Sequence, residues 1–153
     1  MMTSAFISYS AKDRDAAKQL QRLTTMAGID TFLAETSIDP GKKWSDEIFA
    51  KLESAQWVFF LATKHSCSSP AVQQELGASL IQRKTIIPLL LGISADELPG
   101  WVSAHQAIDL AKAPELLQAK VQQISSALKI DKFWAGVLAG LLVALVVYLA
   151  AKS

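Results

Sequence analysis

Short apolar runs alternate with amphipathic stretches over the first 110 residues of the chain. The runs of strand length lie at Ala5 to Tyr9, Ile29 to Leu33, Trp57 to Ala62, Thr85 to Leu91 and, more weakly, His105 to Leu110. The Trp57 to Ala62 run is continuous, which is typical of a parallel strand covered on both faces. Pro88 weakens the fourth run, because proline has no N–H to donate to a strand ladder. The pattern predicts five strands.

Between these runs, apolar residues recur at helical spacing. The predicted helices run from Asp13 to Ala27, along the face from Trp44 to Ala55, onward from Ser69 and Pro70, and from about Pro114 to Leu128. Gly28 is expected to end the first helix. Because strands and helices alternate, the predicted fold class is α/β: a flavodoxin-like five-stranded parallel sheet with helices on both faces.

A charge-free run of 19 residues, Phe133 to Ala151, follows. As a helix it would span roughly 28 Å, close to the hydrocarbon thickness of a bilayer. Trp134 and Tyr148 lie near its ends, where aromatic rings favour the membrane interface. We therefore expect one C-terminal transmembrane helix. Since only two residues follow Ala151, the span should insert after synthesis as a tail anchor.

The expected organisation is an α/β domain at 1–128, a juxtamembrane linker at 129–132 and a transmembrane helix at 133–151. Lysines flank the N-terminal end of the span more densely than its C-terminal end, which predicts a single-pass membrane protein with a cytoplasmic N-terminal domain. Gly136 and Gly140 have the small-xxx-small spacing of a close helix–helix contact. This favours a homo-oligomer, although glycine is also simply common in membrane helices.

Charge and cysteine content exclude several classes of function. The net charge is +1, with basic and acidic residues interspersed, so the chain lacks the electrostatic footprint of a nucleic-acid-binding protein. Cys67 is the only cysteine, which excludes an intramolecular disulfide and a zinc site of paired cysteines. We predict no metal site.

A ligand site is expected at the switch point of the sheet, between the first and third strands. The loops at Ser8 to Asp13 and Thr63 to Ser69 should meet there. The helix that begins at Pro70 carries one carboxylate, Glu75, on the flank of its apolar stripe. Its position predicts a half-buried carboxylate beside the cleft, and the alternative is an ordinary solvated flank residue.

Three motifs stand in the order and spacing of one protein family. They are AFISYS at 5–10 followed by Asp13, IDPG at 38–41 with Trp44, and SPAVQQELG at 69–77. Together they resemble the first strand, the BB loop and the glutamate-bearing helix of prokaryotic Toll/interleukin-1-receptor (TIR) domains, over about Ser4 to Leu110. One departure is Ala71, where the family often has tryptophan.

The resemblance implies cleavage of the nicotinamide–ribose bond of NAD, as an NAD glycohydrolase or an ADP-ribosyl cyclase, with NAD as substrate and no cofactor. Nicotinamide leaves as a neutral amide, so one carboxylate that stabilises the oxocarbenium charge suffices. Glu75 is the catalytic candidate. The substrate-binding candidates are Ser8, Tyr9, Ser10, Asp13, Phe32, Leu33 and Trp44. Three have structural alternatives: core packing for Phe32 and Trp44, and helix capping for Asp13.

Other chemistries fit less well. His65 and Cys67 are neighbours in sequence, but nothing orients them as a nucleophile and its base. The chain has no Gly-rich phosphate loop, and the third strand ends without the aspartate of a receiver domain. Two hypotheses remain: an NAD-consuming effector in defence or innate immune signalling, and a non-catalytic membrane scaffold that signals through TIR–TIR association.

Overall fold

A computed structural model of the chain describes residues 4–33, 46–70, 72–73, 77, 84–100, 102, 106–128, 145 and 148. The strands are β1 (Ala5–Ser8), β2 (Thr31–Leu33), β3 (Trp57–Ala62), β4 (Thr85–Leu90) and β5 (Ile108–Asp109). The helices are α1 (Arg14–Met26), α2 (Asp46–Ser54), α3 (Lys64–Cys67) and α4 (Pro114–Ala127). Two 3-10 turns lie at Ala11–Asp13 and Ala95–Glu97.

All five strands are parallel and lie in the order β2-β1-β3-β4-β5. The chain leaves β1 toward one edge of the sheet to form β2, then returns to form β3 on the other side of β1. The switch point therefore lies between β1 and β3, where Ser8 is in register with Phe60. The predicted five-stranded parallel sheet and its flavodoxin-like order are confirmed.

Pro88 lies inside β4, in register with Phe60 of β3. Strand β5 pairs with β4 only from Leu89 onward. Among the described residues, β4 therefore has a paired neighbour at Pro88 on the β3 side alone, a place where a missing N–H is tolerated. Pro88 therefore lies where β4 is locally an edge strand, as its presence in the sequence of this strand indicated.

The core has two halves, one on each side of the sheet. The α1/α4 cluster combines alternate β1 residues with α1 and α4, and includes Ala5, Ile7, Tyr9, Leu20, Leu23, Leu117, Val121 and Ile124. The α2 cluster lies on the opposite side and includes Phe6, Leu52, Val58, Phe60, Val72, Leu98 and Val102. Side chains of β1 alternate between the clusters, as the period of a strand requires.

Helix α1 ends as its sequence predicts. Ala27 donates its N–H to the carbonyl of Leu23, and Gly28 follows with φ of 82°. This left-handed conformation suits glycine and is common just after a helix. Ser125 Oγ of α4 donates to the carbonyl of Ala27 at 3.1 Å, which joins the two helices at this point.

The predicted membrane span is described at two residues. Leu145 is helical, 3% exposed and part of the α1/α4 cluster. Tyr148 is helical and half-buried against the same cluster. Among the described helices, none is long and apolar enough to cross a bilayer. The anchor stays a prediction, and these two side chains contact the domain.

Candidate functional site

The two loops predicted to meet at the switch point are joined by a hydrogen bond. Thr63 Oγ1, directly after β3, donates to Asp13 Oδ2 at the start of α1 over 2.5 Å. Ser10 accepts from the N–H of Lys12 at 3.4 Å and caps the intervening 3-10 turn. Asp13 is thus both the residue before α1 and a link between β1 and β3.

A short helix, α3, follows Thr63 where the sequence had predicted a loop. Thr63 accepts from the Ser66 N–H at 3.1 Å, and Ser66 Oγ accepts from the Thr63 N–H at 2.8 Å. This reciprocal capping satisfies two donors that a helix start leaves unpaired. Ser66 is fully buried and also donates to the carbonyl of Leu61 at 2.7 Å, so the end of β3 is firmly held.

An open cleft of about 490 Å³ lies at this edge of the sheet, on the α1/α4 side. Its lining combines acidic, basic and apolar side chains from the ends of β1, β3 and β4: Lys12, Asp13, Asp15, Ala16, Thr63, Lys64, His65, Leu91, Gly92 and Tyr148. Gly92 has φ of 73°, which lets the chain turn sharply after β4 at the mouth of the cleft. We call this the α1-side cleft.

Four predicted substrate-binding residues divide between the two sides of the sheet. Tyr9, 1% exposed, belongs to the α1/α4 cluster, and Leu33 packs against that cluster. Phe32 packs against the α2 cluster, and strand alternation puts Ser8 on the same side as Phe6. Ser8 and Phe32 therefore share a side with one another, whereas Tyr9 and Leu33 face away from them.

Ser8 carries a buried hydroxyl at the carboxyl end of β1. The residue is fully buried, and its Oγ has no hydrogen-bond partner among the residues that the structure describes. An unpaired buried hydroxyl costs about 1–3 kcal/mol. An unpaired polar atom at a switch point calls for a physical explanation, and a bound ligand is one such explanation.

Phe32 lies beside Phe6, with ring centroids 5.6 Å apart and planes tilted by 34°. The Lys51 ammonium stands 6.0 Å from the centroid of the Phe32 ring, at the outer limit of a cation–π contact. Phe32 remains partly exposed. Its ring therefore packs on the core and also presents a surface to solvent, and its role in substrate binding stays a prediction.

Glu75 and Trp44 lie outside the described residues, as do Ala71 and the IDPG motif at 38–41. Their predicted roles stay predictions. In the same helical stretch, Val72 is described, fully buried and part of the α2 cluster. Val72 thus packs on the side of the sheet where Ser8 and Phe32 lie. The α1-side cleft is on the other side.

The surroundings of the Cys67 thiol disfavour its thiolate form. Burial raises the pKa of Cys67 above its ordinary value, and nearby Glu97 raises it further against a hydrogen bond with Ser66. A raised pKa lowers the thiolate fraction at neutral pH. The residues described also contain no group of three or more His, Cys, Asp or Glu side chains arranged to hold a metal ion.

The sequence pattern missed several lining residues of the α1-side cleft, including Lys12, Asp15 and Lys64. Each lies within a loop or first turn whose general position was predicted. The capping signature Thr-x-x-Ser at 63–66 could have revealed α3. The sequence predicts Tyr148 at a membrane interface, and its part in the cleft follows only from the three-dimensional packing.

A comparison with protein families agrees with the architecture. The family profile described as "TIR domain" matches residues 5–125, which cover the sheet, the switch point and most of α4. The chain belongs to the TIR domain family. No curated protein matches the chain.

Solved structures include other TIR domains of the same fold. The TIR domain of the Toll-related receptor TRR-2 from Hydra magnipapillata is 20% identical, with a TM-score of 0.67 over 81% of this chain and 98% of that one. The TIR domains of the activated Roq1 resistosome, which directly recognises the pathogen effector XopQ, are 13% identical. Their TM-score is 0.51, over 94% of this chain and 82% of that chain. At these identities the likeness concerns the fold, and the predicted prokaryotic origin stays a prediction.

Proposed function

We propose that this TIR domain cleaves the nicotinamide–ribose bond of NAD at the switch point, on the α2 side of the sheet. The observation that carries the proposal is the buried Ser8 hydroxyl, which has no described hydrogen-bond partner. For a ribose hydroxyl or a phosphate oxygen of NAD to supply that partner, the side chains that cover the fully buried Ser8 must move aside. Phe32 offers a partly exposed aromatic ring on the same side.

Glu75 is the proposed catalytic residue. It follows the buried Val72 by three residues in the sequence, and on a continuous helix that spacing puts two side chains on neighbouring faces. Its carboxylate stabilises the positive charge that develops on the ribose as nicotinamide leaves. Water then attacks the ribose to give ADP-ribose, or an adenine nitrogen attacks it to give a cyclic product.

Membrane attachment and self-association complete the proposal. The charge-free run at 133–151 has the length of a span, and the Gly136/Gly140 spacing supports close helix packing. Clustered domains raise the local concentration of a site built from two protomers, with the IDPG loop of one beside Glu75 of the next. Activity in this scheme depends on assembly, in defence or innate immune signalling.

The second candidate function is a non-catalytic scaffold that signals through TIR–TIR contacts. One relative of known structure consists of the TIR domains of an activated resistosome, and Ala71 stands where an aromatic residue supports the ring of a nucleotide in many TIR enzymes. A scaffold requires the association surface without the chemistry. If the clustered protein does not cleave NAD, that result favours this alternative.

The test is Glu75→Gln in full-length protein embedded in vesicles or artificially clustered, with release of free nicotinamide as the readout. The substitution keeps size and helix propensity but removes the charge. If the carboxylate contributes about 3 kcal/mol to the transition state, the rate falls on the order of a hundredfold. Glu115→Gln, an exposed change at the first turn of α4, is the matched control and should retain the rate.

Equal nicotinamide release by wild type and Glu75→Gln, with both folded, would contradict the catalytic assignment. No release by either protein when clustered points to the scaffold. Ala71→Trp then asks whether restoring the aromatic side chain restores NAD cleavage. A gain of activity in this variant would identify the missing ring as the reason.

A further inference from the structure

Two residues of the charge-free C-terminal run contact the TIR domain. Leu145 and Tyr148 are both helical, and a spacing of three residues puts them on one face of a helix. Leu145 is 3% exposed within the α1/α4 cluster, and Tyr148 packs against that cluster and lines the α1-side cleft. In this structure, Leu145 is packed as a core residue is, and Tyr148 is half-buried against the same cluster.

The run at 133–151 contains no charged residue at any position. A helix that packs on a domain and otherwise faces water normally has charged or polar residues on the side that faces water. The sequence of the run therefore fits a second environment, the hydrocarbon of a lipid bilayer.

Leu145 cannot occupy both environments at once. Inserting the run at 133–151 into a bilayer removes the Leu145 side chain from the α1/α4 cluster and leaves the space it filled. Losing a buried leucine side chain from a close-packed core is unfavourable, because the surrounding residues only partly collapse into the cavity. Packing on the domain therefore opposes insertion into lipid.

We propose that the α1/α4 side of the domain binds the chain's own C-terminal segment through Leu145 and Tyr148, and that a lipid bilayer competes for this segment. The inference rests on the membrane attachment in the proposed function, and it is independent of NAD cleavage. Binding to the domain shields apolar surface before a membrane is met. Insertion then withdraws Tyr148 from the wall of the α1-side cleft.

Leu145→Ala in the full-length protein separates the two environments. On the domain, the change creates a cavity in the core. In a bilayer, one leucine fewer in a 19-residue apolar run lowers insertion only slightly. Flotation with phosphatidylcholine vesicles measures the ratio of bound to free protein. We expect Leu145→Ala to raise this ratio at least tenfold above wild type.

The matched control is Leu98→Ala. Leu98 is 7% exposed, but it belongs to the α2 cluster on the opposite side of the sheet. Its loss weakens the core without touching the surface that binds Leu145, so the bound-to-free ratio should stay within twofold of wild type. An equal rise in both variants would show that general destabilisation exposes the run, and it would overturn the proposal.

Two other outcomes also count against the competition. If wild type floats with vesicles and Leu145→Ala floats equally or less, the run is a constitutive anchor and the domain does not compete for it. If no variant floats, membrane attachment and the competition both fail. Nicotinamide release, measured separately, still tests the catalytic part of the proposed function.

Discussion

Thr63 and Asp13 lie 50 positions apart in the sequence, yet the Thr63 hydroxyl donates to the Asp13 carboxylate over 2.5 Å. The bond joins the end of β3 to the start of α1 across the switch point. Thr63 simultaneously accepts the N–H of Ser66. Thr63, which is 5% exposed, therefore joins the two loops at the point where the strand order reverses.

Thr63→Val should destabilise the domain by about 1.5–3 kcal/mol, because it keeps the side-chain shape but removes a hydrogen bond to a carboxylate and a helix cap. Urea unfolding measures the change. Thr85→Val is the control, since Thr85 is exposed at the start of β4, and it should shift stability by less than about 0.5 kcal/mol. A double-mutant cycle with Asp13→Ala that gives no coupling would contradict the proposed link.

The switch point itself could be predicted because its causes are local. The continuous run at Trp57–Ala62 marks a buried parallel strand, and alternation of strands with helices restricts the order of the sheet. The α3 helix was missed because four residues give no apolar period, and only its Thr63/Ser66 capping pattern identifies it. Strand β5 is shorter than predicted because pairing with β4 is limited to Ile108 and Asp109.

Truncation after Leu128 should lower the stability of the domain by about 2–5 kcal/mol, because it removes the buried Leu145 from the α1/α4 cluster. The truncated protein should also lose its affinity for membranes. Urea unfolding of the truncated and full-length chains, both without lipid, measures the first effect. Identical stability of the two proteins would mean that Leu145 contributes nothing to the fold.

Leu145 also shows a limit of predictions from hydropathy. A long apolar run predicts burial, but it does not distinguish burial in lipid from burial in protein. The packing of Leu145 and Tyr148 depends on the α1/α4 cluster, whose other members lie elsewhere in the sequence. No local pattern in 133–151 could have indicated that surface.

Cys67 should react with iodoacetamide at pH 8 more slowly than free cysteine, because burial raises the pKa of the Cys67 thiol. The folded state therefore keeps this proton more strongly than the unfolded state does. Stability should fall as the pH rises from the ordinary thiol value of 9.0 through the raised pKa of the folded state. Cys67→Ala should lack that part of the decline. A pH dependence identical to that of wild type would contradict the assignment.

The sides of the sheet on which the candidate residues lie could be predicted only in part. Alternation along β1 places Ser8 and Tyr9 on opposite sides, but deciding which side carries the site requires knowing where Val72 packs. That contact with the α2 cluster is a tertiary fact. Ser8 stands out for a second reason that no sequence shows, since whether a hydroxyl finds a partner depends on every neighbouring element.

Ser8→Ala should have opposite effects on stability and on activity. Without ligand, removing a buried hydroxyl that has no described partner should stabilise the domain by about 1 kcal/mol. If the same hydroxyl binds NAD, nicotinamide release should fall about tenfold, the equivalent of roughly 1.4 kcal/mol. Urea unfolding and a nicotinamide assay on clustered protein measure the two effects.

Ser66→Ala is the contrasting variant, because the Ser66 hydroxyl is buried and hydrogen-bonded. Its loss should therefore destabilise the domain. A Ser8→Ala protein that is less stable than wild type would show that the hydroxyl has a structural partner, and unchanged nicotinamide release would exclude it from the site.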